Sequence, residues 1–135
     1  MGPLYIYANP RHDGQCINDC YIRVVVFATG IDYETVEGMF SDKQKVLGEK
    51  YPNKLPTITA VLEDLGYRHQ EVYKDSIQKS RMKVASFLKQ HKGEYILKTN
   101  NHLCYVKDGI LFDTWDCSNK ILLGYWTKKK EETEI

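Results

Sequence analysis

Asp19-Cys20-Tyr21-Ile22-Arg23-Val24-Val25-Val26-Phe27-Ala28-Thr29-Gly30 is the stretch on which the fold turns. From Cys20 to Thr29 it is apolar except at Arg23. The run Ile22 to Phe27 is rich in β-branched residues and suits a buried strand. The ends favour a helix instead. Asp19 is a good N-cap and Gly30 a good C-terminal stop. Tyr21, Val24, Val25 and Ala28 also fall on one helical face. We read a buried helix, which makes the first part of the chain helical and leaves the strands to the end.

The reading extends in both directions from this helix. Residues 1–19 carry the turn formers Asn9, Pro10, Asp13, Gly14 and Asn18 and read as irregular. On the other side, Asp32 caps a second helix with Tyr33, Val36, Phe40 and Leu47 near its apolar face, ending before Gly48. A loop with two prolines covers residues 49–56. A third helix runs from Thr57 to Leu65, a short extended piece covers Gln70 to Tyr73, and Ser76 opens a fourth helical stretch reaching His91. Then the pattern changes. Tyr95-Ile96-Leu97, His102 to Val106, Leu111 to Trp115 and Ile121 to Trp126 read as strands, and Asp108-Gly109 is a strong hairpin signal. Residues 128–135 form a charged tail. The expectation is one α+β domain over residues 1–135, with N-terminal helices packed on a C-terminal antiparallel sheet.

Nineteen Lys and Arg against eighteen Asp and Glu leave a net charge of +1, which argues against a dedicated nucleic-acid binder. No apolar run approaches the ~20 residues of a membrane span, and the N-terminus lacks the basic and apolar regions of a secretory signal. A cytoplasmic, reducing setting follows as the expectation, with Cys16, Cys20, Cys104 and Cys117 as thiols.

Among the four thiols, Cys20 alone sits in the first turn of a helix, where the dipole and the free N–H groups favour a thiolate. Of the histidines, His12, His69 and His91 lie in polar or helix-end settings, whereas His102 begins a strand with apolar neighbours. A two-residue loop at Asp108-Gly109 pairs Lys107 with Ile110, places Cys104 opposite Asp113, and makes His102 and Asp113 diagonal neighbours on one face. Trp115 lies on the same face as a shield. A three-residue loop brings Asp116 there instead. The register therefore favours Asp113 as the carboxylate that orients the imidazole.

The segment Asp19-Cys20-Tyr21-Ile22-Arg23, followed by Ala28-Thr29-Gly30 and Tyr33-Glu34-Thr35-Val36, resembles the nucleophile helix of small papain-like cysteine proteases of bacteria and their phages. Gly93-Glu94-Tyr95-Ile96-Leu97, His102 and Asp108-Gly109-Ile110-Leu111-Phe112-Asp113-Thr114-Trp115 resemble the histidine and aspartate strands of the same group. The resemblance implies a cysteine hydrolase acting on a peptide, isopeptide or related amide bond of a protein or peptide substrate. Cys20 is then the nucleophile, His102 the base and Asp113 the third member, with Gln15 (or Asn18) and the Cys20 N–H lining the oxyanion hole. No metal or other cofactor, nucleic acid or membrane is called for. Two rivals stand beside this reading. One is a zinc centre built from the four cysteines, which the spacing fits poorly. The other is a papain-fold binding protein without catalysis.

Overall fold

The computed structural model describes residues 5–11, 18–71 and 82–128. The helix-or-strand ambiguity resolves as a helix: α1 spans Cys20–Thr29 and ends on Gly30 in the left-handed conformation. Helix α2 (Tyr33–Leu47) starts where Asp32 accepts a hydrogen bond from the Thr35 N–H at 3.1 Å, and it stops at left-handed Gly48. Helix α3 runs over Leu55–Asp64, two residues ahead of the expected start. Pro56 does not delay it, because the first turn has no use for the N–H that proline lacks.

The fourth helix is shorter than expected. Helix α4 covers Val84–Gln90, and Lys83 is extended and bridged to Ile121. The Val84 and Ala85 N–H groups donate to the carbonyls of Lys120 and Ser118, so a distant turn satisfies the helix start. The expected opening at Ser76 lies outside the described residues.

Six strands form one sheet in the order β1-β5-β4-β3-β6-β2. They are β1 (Tyr5–Tyr7), β2 (Tyr67–Glu71), β3 (Glu94–Thr99), β4 (His102–Lys107), β5 (Ile110–Asp113) and β6 (Gly124–Lys128). Two expectations are corrected here. Residues 5–7 are not irregular but pair parallel with β5, so the sheet is mixed rather than antiparallel. The extended piece expected at Gln70 to Tyr73 begins at Tyr67 and pairs antiparallel with β6, with Val72 and Tyr73 outside the described residues. The strand expected from Ile121 starts only at Gly124, because Leu122 and Leu123 donate instead to Met82 and Lys98. No described helix is long and apolar enough to cross a membrane.

The sheet is covered on both faces. Ile96, Leu103, Tyr105 and Trp126 join the core built by α1, α2 and α3. Leu97, Cys104, Val106 and Leu111 join Val84, Phe87 and Leu88 of α4. Side chains alternate across a strand, so neighbours such as Ile96 and Leu97 enter different cores. Burial on both sides explains why β3 and β4 read as apolar runs.

The β4–β5 hairpin sets the register on which the site depends. Lys107 pairs with Ile110 across the two-residue loop. Both loop residues have positive φ, 52° at Asp108 and 84° at Gly109, as a type I′ turn requires. A Cβ at Gly109 would also lie 2.8 Å from Lys92 Nζ and 3.3 Å from the Leu88 carbonyl. Gly109→Ala is expected to cost about 1 kcal/mol or more. Urea unfolding measures it, and a midpoint equal to wild type would contradict this account of the turn.

Candidate active site

Antiparallel pairing of β4 with β5 brings the start of one and the end of the other to the same end of the sheet. His102 opens β4 and Asp113 closes β5. Their side chains meet: His102 Nε2 lies 2.6 Å from Asp113 Oδ2, with side-chain exposures of 10% and 3%. The pairing read from the hairpin thus joins these two groups. Asp116, the reserve, is exposed and accepts from the Ser118 N–H at 3.0 Å. Asp108 accepts from the Gly93 N–H within the turn region. Trp115 packs on the imidazole with ring centroids 4.8 Å apart.

The Asp113 carboxylate is held from several sides. Its Oδ1 accepts from the Thr114 N–H at 2.7 Å and from Arg23 at 3.4 Å. Its Oδ2 takes the imidazole and the Cys117 thiol, the latter at 3.9 Å. Strand β1 fixes the backbone at the same point. The Asp113 carbonyl accepts from the Ala8 N–H at 2.9 Å and from the Tyr5 hydroxyl at 3.2 Å.

Cys20 enters from the opposite layer as the first residue of α1. It is half-buried and lines the same cleft as His102. The Ile22 and Arg23 N–H groups already turn toward the Asp19 carbonyl at 2.9 and 3.0 Å, so the helix starts tightly beneath the thiol.

Asp19 departs from its expected role. Its side chain makes no cap. It binds the Arg23 guanidinium and accepts from the Tyr33 hydroxyl at 2.6 Å. Asp19, Arg23 and Asp113 are 2%, 4% and 2% exposed, so the two carboxylates share one buried cation. Charge-assisted bonds are stronger here than a cap open to solvent. Arg23 was the missed residue. Its signal was present: one charge inside an apolar helix, four residues after an Asp.

Burial lowers the pKa of His102, but hydrogen bonds to Asp113, Cys117 and Cys20 outweigh it and push the value up to about 11. The fold therefore stabilises the imidazolium. That contribution is complete below the ordinary value near 6.5 and is lost as pH rises through about 11. In NMR spectra of the ring nitrogens, His102 should remain doubly protonated at about pH 8.5. In Asp113→Ala the titration should fall to or below the ordinary histidine range, since burial persists without the acceptor. An unchanged midpoint would contradict the assigned cause.

Of the other candidates, His69 and His91 stand apart from this cluster, whereas Cys117 belongs to it. His69 is exposed and packs on Trp126, and His91 stacks on Phe87 at 4.1 Å. Cys104 and Cys117 are buried. The hydrogen bond between them raises the Cys104 thiol and lowers that of Cys117. His12, Cys16 and Gln15 lie outside the described residues, whereas Asn18 lines the cleft. The ligand atoms of His102, Asp113 and Cys117 lie within 4.8 Å of one another, near enough for one metal ion. This is not the four-thiolate set considered from the sequence. The carboxylate in it is already matched by Arg23 and His102.

Comparison with protein-family models, curated proteins and solved structures gives no match for this chain.

Proposed function

We propose that this protein is a cysteine hydrolase with a papain-like arrangement, using Cys20 as nucleophile, His102 as proton carrier and Asp113 to hold the imidazole. One observation carries the reading. A thiol at a helix start and an imidazole line one cleft, and a buried carboxylate behind the imidazole binds it, in the chain order Cys, His, Asp. In support, α1 packs against the sheet strands that bear His102 and Asp113.

The chemistry follows from the placement. With Nε2 bound to Asp113, the imidazole offers Nδ1 to the thiol. The proton resides on the ring, and the thiolate attacks an acyl carbon of a peptide, isopeptide or related amide. The tetrahedral oxyanion forms near the Cys20 N–H, which precedes the N–H groups that the Asp19 carbonyl accepts. His102 then protonates the departing nitrogen, leaving a thioester on Cys20. Water enters with His102 as base, and the acid product leaves. Asn18, at the cleft, is placed to assist at the oxyanion. The three described cysteines are free thiols, in keeping with action in a reducing cytoplasm, that of the host if a phage encodes the protein.

Alkylation with iodoacetamide, resolved by peptide mass spectrometry, tests the reading. Cys20 should react at least about 10-fold faster than the buried Cys104 and Cys117. Equal, slow reaction at all three would favour a binding protein that uses the cleft without chemistry.

A further inference from the structure

The cleft beside Cys20 and His102 has a volume of about 560 Å³. Its charge is one-sided. Lys54 and Lys98 line it, and no Asp or Glu does so among the described residues. This is not a reflection of a basic chain, since the whole sequence carries eighteen carboxylates against nineteen basic side chains.

Neither ammonium is neutralised by a described residue. Lys98 makes only a long 3.4 Å contact to the Thr99 carbonyl, and Lys54 sits 5.8 Å from the Tyr51 ring. Neither has a carboxylate partner among the described residues. Arg23, the third cation at the cleft, differs because Asp19 and Asp113 hold it. The two lysines come from separate elements. Lys54 precedes α3, and Lys98 lies on β3 one residue before Thr99, which pairs with His102. Lys98 is half-buried, so part of its hydration is already removed. Apolar groups, Leu55 and Trp115 among them, fill out the walls. An unpaired, partly desolvated cation beside an apolar wall interacts with an anion more strongly than one in open solvent.

Resting on the hydrolase reading, we propose that Lys54 and Lys98 form a carboxylate-recognition subsite, so that the substrate is a peptide bearing a carboxylate close to the bond that Cys20 attacks. The carboxylate belongs either to a Glu or Asp side chain or to a free C-terminus. The lysines bind and orient that group and touch none of the reacting atoms.

The test uses matched peptidyl chloromethyl ketones carrying Glu, Gln or Lys next to the reactive carbon, with labelling of Cys20 timed by mass spectrometry. The Glu probe should label on the order of 10-fold faster than the Gln probe at low salt, and the Lys probe slowest. The advantage should shrink as salt rises. Lys98→Gln and Lys54→Gln should each reduce the Glu/Gln ratio, and Lys98→Glu should invert it. Equal Glu and Gln rates in wild type, with Cys20 still labelled and no binding of a free C-terminal carboxylate in the titration below, would overturn the subsite and leave the hydrolase reading intact. Failure of all three probes to label Cys20 would count against the hydrolase reading instead.

The subsite has its own readout in that case. Unreactive N-acetyl-Glu-amide, N-acetyl-Gln-amide and N-acetyl-Gln with a free carboxylate are titrated into the protein, following the amide signals of residues 98–103. Shifts with either acid, lost in Lys98→Gln, support the subsite, and the acid that binds tighter identifies the source of the carboxylate. No shift with either acid overturns it.

Discussion

His102→Ala is expected to slow acylation of Cys20 by an activated acyl donor by about 10²- to 10⁴-fold. On the proposed hydrolase reading, two functions disappear together. The thiolate loses the imidazolium that stabilises it, and the leaving group loses its proton donor. Cys20→Ala should abolish labelling altogether. Asp113→Ala should fall between wild type and His102→Ala, because the imidazole remains but is neither oriented nor held charged. Time-resolved labelling read by intact mass measures all three. Equal labelling of wild type, Cys20→Ala and His102→Ala would remove the assignment, since another thiol would then be carrying the label. Circular dichroism of each variant separates lost chemistry from lost fold.

Arg23→Ala is expected to destabilise the protein by about 3–5 kcal/mol. The guanidinium is 4% exposed and serves Asp19 and Asp113, both 2% exposed. Its removal leaves Asp19 buried without its cation and Asp113 with the imidazolium alone, and that desolvation cost exceeds the loss of any surface pair. Arg23→Met fills more of the space yet still deprives both carboxylates of the guanidinium, so it should recover only the packing part. Adding Asp19→Asn to Arg23→Met should return some stability, because one buried charge is removed with its partner. Urea denaturation with a shared slope measures the series. A loss below about 0.5 kcal/mol for Arg23→Ala would show that the network behaves as an exposed one. Because Arg23 holds the Asp113 carboxylate, acylation of Cys20 should also slow in variants that still fold.

Both predictions concern one cluster, and only part of it was legible in the chain. Cys20 could be found because capping signals act over a few residues: Asp19 before it and Gly30 at the far end bound a helix of ten residues. Asp113 could be found because a two-residue type I′ turn propagates its parity along both strands. Arg23 was visible as an oddity but its partners were not, since Asp113 lies 90 positions away. Asp19 was read as a cap, a local role, when a buried cation offered it a stronger one.

The elements that went astray have a common cause. Strand β1 is three residues long, and Ile6 and Tyr7 are 42% and 58% exposed, so no burial pattern betrays it. Its reason for existing is the backbone ladder with β5, which also fastens the Asp113 carbonyl. The start of α4 moved because its first N–H groups find acceptors at Ser118 and Lys120, more than thirty residues on. The charge of the cleft was equally hidden. Lys54 and Lys98 are ordinary surface lysines in the sequence and become a pair only where α3 and β3 meet the cleft.

By itself, the sequence determined what short-range physics governs: the α1 and α2 helices with their stops, the hairpin and its register, the α+β class, and Cys20, His102 and Asp113 as the residues to watch. The tertiary structure decided what depends on distant groups meeting. It placed β1 beside β5, put Arg23 between two buried carboxylates, raised the basicity of the imidazole, and left two lysines at the cleft without a carboxylate partner among the described residues. Propensity, capping and turn geometry act within a few residues, whereas burial and ion pairing depend on where the rest of the chain comes to lie.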